Sequence, residues 1–177
     1  VIDMKCYVNY YHKGTFKDQL VYKEQEVNVD LDLAHLKKLN APIKLKIEKD
    51  GNQYLVTGSY YIPVDAFSSQ KEPVKIEKTL ASLPASINTR VGTLHFTQNG
   101  KYALKDGESL KVIIVSPEMA AKGYTKALAV SQTSKTTTIA ELVLKDEDPQ
   151  RSIDYLNTLI KVYNRQANED KDRKSVV

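Results

Sequence analysis

An apolar stripe near the C-terminus constrains the fold of this chain more than any other feature of its sequence. Its main members, from Ile153 to Ala167, recur at spacings of three, four, three and four residues, which is the period of one face of an α-helix. Asp148 precedes the stripe as a candidate N-cap, and Pro149 suits the first helical position. We expect a helix whose apolar face packs on the sheet at its base and meets neighbouring subunits farther along. This oligomer or helix interface is formed by Ile153, Leu156, Leu159, Ile160, Tyr163 and Ala167.

The apolar pattern stops after this stripe. Residues 168–174 are polar on every side of the expected helix, and no glycine or proline ends it. Such a helix usually projects from its domain and is stabilised by charge pairs or by neighbouring chains, whereas the alternative is a frayed C-terminal tail. We favour projection because Val176 and Val177 resume the apolar pattern. Residues 1–147 are then an α/β domain, and residues 148–177 are the start of a long projecting helix that belongs to it.

The middle of the chain has the period of β-strands. In residues 43–48 the apolar side chains fall at every second position, which predicts a half-buried strand. Asp50 and Gly51 follow as a two-residue turn signal. With those two residues as the turn, Ile47 pairs with Tyr54 and the lysines of the strand point to water.

Five more strands are predicted from alternation or from β-branched residues, at 26–31, 93–97, 111–115, 127–131 and 136–144. Residues 111–115 are apolar on both faces, which suits a central strand covered on both sides. Residues 62–84 carry three prolines and predict an irregular connection with a short edge strand. Ser116, Pro117 and Gly123 predict a helix of about two turns that ends at the glycine. The expected fold class is α+β (α/β), with a mixed, mostly antiparallel sheet, one short helix and a long C-terminal helix.

Composition excludes several classes of protein. The 177 residues suffice for a hydrophobic core, and the single cysteine excludes a disulfide framework. A net charge of +4, with acids interleaved among the bases, is too balanced for a protein built mainly to bind nucleic acid or lipid. The longest apolar run, residues 112–115, is far shorter than the ~20 residues of a membrane span. Because the chain begins without Met and stops inside the expected helix, we expect a piece of a longer protein, with any membrane anchors outside it.

The sequence lacks the common catalytic motifs. It contains no phosphate-binding glycine loop, no G-x-G-x-x-G, no H-E-x-x-H and no G-x-S-x-G. His12, His35 and His95 each lack a carboxylate or histidine at ligand spacing and are interpreted as lone surface residues. Cys6 has no local base that would make it a nucleophile and is interpreted as inert. We expect no catalytic, cofactor-binding or metal-binding residues here, although an enzyme with a carboxylate pair assembled only by the fold stays open.

A group of lysines lies close in sequence to three tyrosines. The lysines are Lys37, Lys38, Lys44, Lys46 and Lys49, and the tyrosines are Tyr54, Tyr60 and Tyr61. Basic and aromatic side chains together are typical of surfaces that bind RNA or glycans. The alternative is the solvated outer face of a hairpin, since alternation demands polar groups at Lys44 and Lys46. We keep a carbohydrate-binding module as the alternative function, with the tyrosines as stacking platforms for a glycan, and expect no nucleic acid partner.

Several segments resemble one family of bacterial proteins. Residues 148–164 read DPQRSIDYLNTLIKVYN and are followed by DKDR at 170–173. The acidic turn, the proline and a helix with Leu-Asn and Tyr-Asn pairs are similar to the polysaccharide chain-length determinants, or co-polymerases, especially to Bacteroidetes-type exopolysaccharide transport proteins. Four upstream segments resemble the same family in order, at 7–11, 22–29, 92–97 and the helix from Pro117 with the strand after it. Glu26 departs from the pattern, because a proline is expected at that place.

The resemblance implies a location and a way of working. The chain would be the membrane-proximal, extracytoplasmic (periplasmic) part of an inner-membrane protein, with Val1–Met4 ending one membrane helix and the helix from Asp148 running away from the membrane. Members of the family form homo-oligomeric rings that govern the length and export of capsular or exopolysaccharide, together with a polymerase and an outer-membrane export channel. Where a tyrosine kinase is attached it is cytoplasmic, so Tyr155 and Tyr163 are interpreted as helix residues.

Overall fold

The structure, a computed structural model, describes residues 6–32, 39–65, 69–133 and 139–174. Within those ranges the chain forms eleven β-strands and two α-helices. In chain order these are β1 (Tyr7–His12), β2 (Gln19–Val21), β3 (Val27–Leu31), β4 (Ile43–Asp50), β5 (Gln53–Pro63), β6 (Lys71–Leu80), β7 (Ala85–Thr89), β8 (Gly92–Gln98), β9 (Ser109–Val115), α1 (Pro117–Ala127), β10 (Leu128–Gln132), β11 (Ala140–Leu144) and α2 (Pro149–Lys174). The expected α+β fold with mostly antiparallel sheets and a long C-terminal helix is confirmed.

The chain divides into two compact units, Val1–Ala121 and Lys122–Val177, with the boundary inside α1. The first unit contains a six-stranded sheet, in the order β2-β1-β9-β4-β5-β6, and a three-stranded sheet, in the order β3-β8-β7. The second unit contains the β10–β11 hairpin and α2. The division into residues 1–147 and 148–177 that the sequence suggested stays a prediction.

The hydrophobic core lies between the two sheets of the first unit. Side chains from the inner faces of both sheets form one buried cluster, which includes Ile43, Leu45, Ile47, Leu110, Val112 and Ile114 from the larger sheet and Val27, Val29, Leu31, Leu94 and Phe96 from the smaller. Alternation in sequence explains this arrangement, because successive residues of a strand point to opposite faces of the sheet. Strand β9 lies inside the larger sheet as expected, but Ile113 and Val115 are only half-buried, so its second face is less covered than we expected.

A buried tyrosine hydroxyl joins the two sheets. Tyr10 lies on β1 and is 7% exposed. Its hydroxyl accepts a hydrogen bond from the Val29 backbone N–H at 2.9 Å and lies 3.4 Å from the Val29 carbonyl oxygen, to which it donates. Because β3 is at the edge of the smaller sheet, the hydroxyl satisfies backbone groups that no neighbouring strand of that sheet takes up.

The predicted hairpin is present, but its register is corrected. Ile47 pairs with Val56 instead of Tyr54, and the turn consists of Gly51 and Asn52 instead of Asp50 and Gly51. Gly51 adopts a φ of 54°, and its N–H donates to the Asp106 carboxylate at 2.6 Å, so contact with a distant loop helps to place the turn. The register differs by two residues, which leaves every side chain on the expected face of the sheet.

The proline-containing segment from 62 to 84 is more regular than the sequence suggested. Strand β6 is at the edge of the sheet, as predicted. It runs for ten residues and pairs with β5 along its whole length, so the prediction that the strand is short and the connection irregular is wrong. Pro73 is tolerated because β6 is at the edge of the sheet, where one side of the backbone needs no partner from the ladder.

The first helix begins as predicted and ends later. The Ser116 hydroxyl accepts a hydrogen bond from the Met119 N–H at 3.2 Å, which confirms Ser116 as the N-cap. The predicted stop at Gly123 is wrong, because α1 continues to Ala127. A single glycine inside a helix costs only about 1 kcal/mol relative to alanine, which tertiary contacts override.

Candidate functional site

The start of α2 is fixed by two aspartates. The Asp148 carboxylate accepts a hydrogen bond from the Arg151 N–H at 2.8 Å, so the predicted N-cap is confirmed. The Arg151 guanidinium also holds Asp146 in a two-pronged contact, in which Nε lies 2.7 Å from one carboxylate oxygen and Nη2 donates to the other. Burial alone would raise the pKa of Asp146, but the hydrogen bonds and charge of Arg151 outweigh it and lower that pKa.

An aromatic contact holds the base of α2 within the second unit. The rings of Tyr124, on α1, and Tyr155, on α2, stack with their centroids 4.1 Å apart and their planes 13° apart. The α2 helix also contacts β11. Beyond this base, nearly every described side chain of residues 161–173 is exposed, with only Val162 and Ala167 half-buried.

The six apolar residues predicted as an interface are all on α2, and we call them the helix seam: Ile153, Leu156, Leu159, Ile160, Tyr163 and Ala167. Three of them are open to solvent, because Ile153 is 50% exposed, Ile160 45% and Tyr163 70%. The other three are half-buried. The interface itself stays a prediction, but its residues are accessible to a partner.

The second unit has little interior of its own. None of the residues between 122 and 173 whose side chains the structure describes is buried. Its hairpin adds three exposed apolar side chains to those of the helix seam, namely Val130, Ile139 and Val143. A two-stranded hairpin is marginally stable by itself in water, and exposed apolar patches mark interaction sites. The β-branched residues of these segments predicted the strands but did not indicate their exposure.

The three tyrosines proposed as glycan platforms do not form one surface. Tyr54 and Tyr60 are 7% and 5% exposed and belong to the core cluster, whereas Tyr61 is 39% exposed. The Tyr60 hydroxyl accepts a hydrogen bond from the Arg90 N–H at 3.2 Å, and the Lys49 ammonium lies 4.5 Å from the Tyr54 ring centroid. Even-numbered residues of β5 point inward and Tyr61 points outward, so the proposed role of Tyr54 and Tyr60 in stacking on a glycan is corrected to a role in the core.

Two of the three histidines have partners that the sequence did not reveal. His12 Nε2 lies 3.0 Å from the carboxylate of Glu26, fourteen residues away, so the prediction that it is a lone residue is wrong. His95 is exposed as expected, and its Nδ1 lies 2.9 Å from the Ser86 hydroxyl oxygen on the neighbouring strand β7. His35 lies outside the described residues.

The Cys6 environment disfavours a reactive thiolate. Burial and a hydrogen bond to Asp30 raise its pKa to about 12, with the Sγ atom 3.0 Å from the Asp30 carboxylate oxygen. A thiolate is the reactive form of cysteine, so this environment agrees with the interpretation of Cys6 as inert.

The lysines proposed as a basic surface are brought together with others from distant strands. Lys44 and Lys46 are exposed on β4, as alternation predicted, while Lys37 and Lys38 lie outside the described residues. Strand pairing places Lys46 directly opposite Lys111 of β9 and places Ser59 of β5 opposite both Lys44 and Lys75 of β6. Lys75 and Lys111 could not be assigned to this surface from the sequence, because only the order of the strands makes them neighbours of Lys44 and Lys46.

One pocket in the first unit has a volume of about 250 Å³, below the range typical of small-molecule sites. Its lining is mostly polar and consists of His12, Lys13, Leu104, Gly107, Glu108 and Ser109. In the described part of the chain, no group of three or more histidine, cysteine or acidic side chains is arranged to hold a metal ion.

Comparison with known proteins adds no assignment to these observations. No protein-family model matches the chain, and no curated protein matches it. No helix in the described ranges is long and apolar enough to span a bilayer.

Proposed function

We propose that the chain is a non-catalytic assembly module, the extracytoplasmic domain of a polysaccharide chain-length determinant. It oligomerises through the helix seam and thereby regulates the length and export of a capsular or exopolysaccharide. In this proposal the membrane is reached by segments outside the 177 residues, and a cytoplasmic tyrosine kinase is attached in some forms of the protein. The polysaccharide, its polymerase and the outer-membrane export channel are the further partners.

The observation that carries the proposal is the open apolar surface of the second unit. Ile153, Ile160 and Tyr163 are exposed on one face of α2, although an apolar face is normally what secures a helix to its protein. Burying a large apolar side chain contributes about 1.5–3 kcal/mol, so covering three half-exposed ones offers several kcal/mol to an association. The family resemblance of residues 148–164 and 170–173 supplies the polysaccharide role.

The charge pattern of α2 also suits association between helices. The residues that flank the helix seam, Ser152, Asn157, Asn164 and Gln166, are uncharged. Two copies of the seam can therefore approach without placing like charges side by side. Arg165, which lies 4.0 Å from Glu169, is on the opposite side of the helix from the seam. Asp170 and Lys171 continue the seam face, but only beyond its last member, Ala167.

The first test measures self-association of the 177-residue chain by sedimentation over a range of concentrations. We expect the wild type to be monomeric or weakly associated at low concentration, since the membrane segments are absent, and to associate measurably as the concentration rises. The double variant Ile153→Asn/Ile160→Asn should abolish this association. The matched variant Thr158→Asn/Arg165→Asn, on the opposite face of α2, should retain it. A tight ring insensitive to salt, or equal association of both variants, contradicts the proposal.

The second test concerns the polysaccharide. The same two double variants are introduced into the full protein in a cell that produces the polysaccharide, and its size distribution is measured by gel electrophoresis. We expect the seam variant to change the distribution at a normal protein level and the opposite-face variant to leave it unchanged. An unchanged distribution with the seam variant refutes the assigned role.

A further inference from the structure

The outer face of the six-stranded sheet carries lysines and hydroxyl groups in a regular arrangement, which we call the lysine–hydroxyl face. Its members are Lys44, Lys46, Thr57, Ser59, Lys75 and Lys111. Directly paired residues of adjacent strands point to the same side of a sheet. One row across the strands therefore reads Lys111, Lys46 and Thr57, and the next reads Lys44, Ser59 and Lys75.

Two of the four lysines of this face pair with carboxylates, and the other two do not. Lys46 pairs with Glu48, and Lys111 lies 2.8 Å from the Asp18 carboxylate. Lys44 and Lys75 are exposed and have no carboxylate partner among the described residues. Ser59 lies between them, so their Cα atoms are two strand spacings apart, or roughly 10 Å. The face thus presents two uncompensated positive charges with a hydroxyl group between them.

We propose that the lysine–hydroxyl face binds an acidic polysaccharide, with carboxylates of the polymer at Lys44 and Lys75. The sugar hydroxyl groups then exchange hydrogen bonds with Ser59 and Thr57, which are half-buried in the strand between the two lysines. Tyr61 lies on the same face of β5, two residues from Ser59, and offers a 39% exposed ring beside this row.

The mixture of charges favours an acidic glycan over a nucleic acid. Glu48 and Asp18 lie beside Lys46 and Lys111, and Glu77 of β6 pairs with Thr57. A nucleic acid carries a negative charge at every nucleotide, and these carboxylates would repel it. A polymer that carries carboxylates on some sugars and hydroxyl groups on all of them can place its hydroxyls against the acidic side chains as donors. The sparse positive charge of the face suits that polymer.

The test uses oligogalacturonate, a chain of uronic acids, as the probe and isothermal titration calorimetry at low salt as the measurement. The variant Lys44→Ser/Lys75→Ser removes the two uncompensated charges. Its control is Lys78→Ser/Lys101→Ser, which changes the net charge equally; Lys78 is also on β6 but points to the other side of the sheet. Exposed charge contacts are worth up to about 1 kcal/mol each, so we expect binding to weaken about five- to tenfold in the first variant and less than twofold in the control.

Further probes distinguish the ligand classes. A neutral maltooligosaccharide of equal length should not bind measurably, and a single-stranded oligonucleotide and anionic phospholipid vesicles should bind more weakly than oligogalacturonate. The inference is overturned if oligogalacturonate does not bind, if both lysine variants lose binding equally, or if the oligonucleotide or the vesicles bind more tightly. The Ile153→Asn/Ile160→Asn variant should keep its affinity for oligogalacturonate, which separates this inference from assembly through the helix seam.

Discussion

Replacing Tyr10 by phenylalanine tests how the two sheets of the first unit are joined. The substitution removes one oxygen atom and leaves the buried Val29 N–H without the acceptor that lies 2.9 Å away. An unsatisfied buried donor costs about 1–3 kcal/mol. With a denaturant slope of about 2 kcal/mol per molar urea, a loss of about 2 kcal/mol lowers the unfolding midpoint by about 1 M.

The pH dependence of this variant provides a sharper measurement. Burial raises the pKa of Tyr10 from 10.0 to about 12. The stabilising contribution of the neutral hydroxyl is therefore complete below pH 10 and is lost as the pH rises through about 12. A shift of two pH units corresponds to about 2.7 kcal/mol. We expect the difference in free energy of unfolding between wild type and Tyr10→Phe to be largest near neutral pH and to close by about pH 12.

The assay is urea unfolding followed by circular dichroism at several pH values. Tyr102→Phe is the control, because Tyr102 is 37% exposed and its hydroxyl makes no buried link of this kind. Equal midpoints for wild type and Tyr10→Phe at pH 8 would refute the proposed link between the sheets. A difference that stays constant from pH 8 to pH 12 would refute the role assigned to ionisation of Tyr10.

Three further predictions concern single positions. Asp148→Ala should destabilise the first turn of α2 by about 1 kcal/mol, seen as faster amide exchange at Arg151; Asn168→Ala is the control, and unchanged exchange would contradict the cap. Gly58→Ala should lower the free energy of unfolding by about 1–3 kcal/mol, because an added Cβ would lie 2.1 Å from the Lys44 carbonyl oxygen. Gly100→Ala should be nearly neutral, since nothing lies within 4 Å of its added Cβ, and equal effects would refute the steric argument. Cys6, with its pKa raised to about 12, should react with a disulfide reagent at pH 8 about a hundredfold more slowly than a free thiol, because the greater nucleophilicity of its thiolate offsets part of the smaller thiolate fraction; a rate near that of free cysteine would refute the buried environment assigned to the thiol.

Local signals in the sequence were sufficient for most elements of the fold. Alternation located β3, β4 and β8, because each has one face in the core, and a run of apolar residues located β9. The side chains of Ser116 and Asp148 marked the starts of both helices, since capping depends on residues close in sequence. The helix seam was also readable, because residues of one helix face recur at a fixed spacing.

Features that depend on contacts between distant strands could not be read in this way. The hairpin register depends partly on Asp106, and the His12–Glu26 pair joins residues fourteen apart. The prolines indicated the edge position of β6, but its length follows from pairing with β5 over ten residues, which the prolines did not reveal. The sequence did contain the signal that separates Tyr61 from Tyr54 and Tyr60, because the period of two residues in a strand places Tyr61 on the opposite face from Tyr60.

The edge position of β6 also limits the ways in which copies of this chain can combine. An open strand edge ordinarily recruits a strand from another molecule, and such pairing can continue without limit into fibres. Here Pro73 has no N–H group to donate to an added strand, and the lysine and glutamate side chains of β6 on both sides of it carry mixed charge. Pairing of copies through this edge is thereby discouraged, so the proposed association through the helix seam would not compete with extension of the sheet at β6.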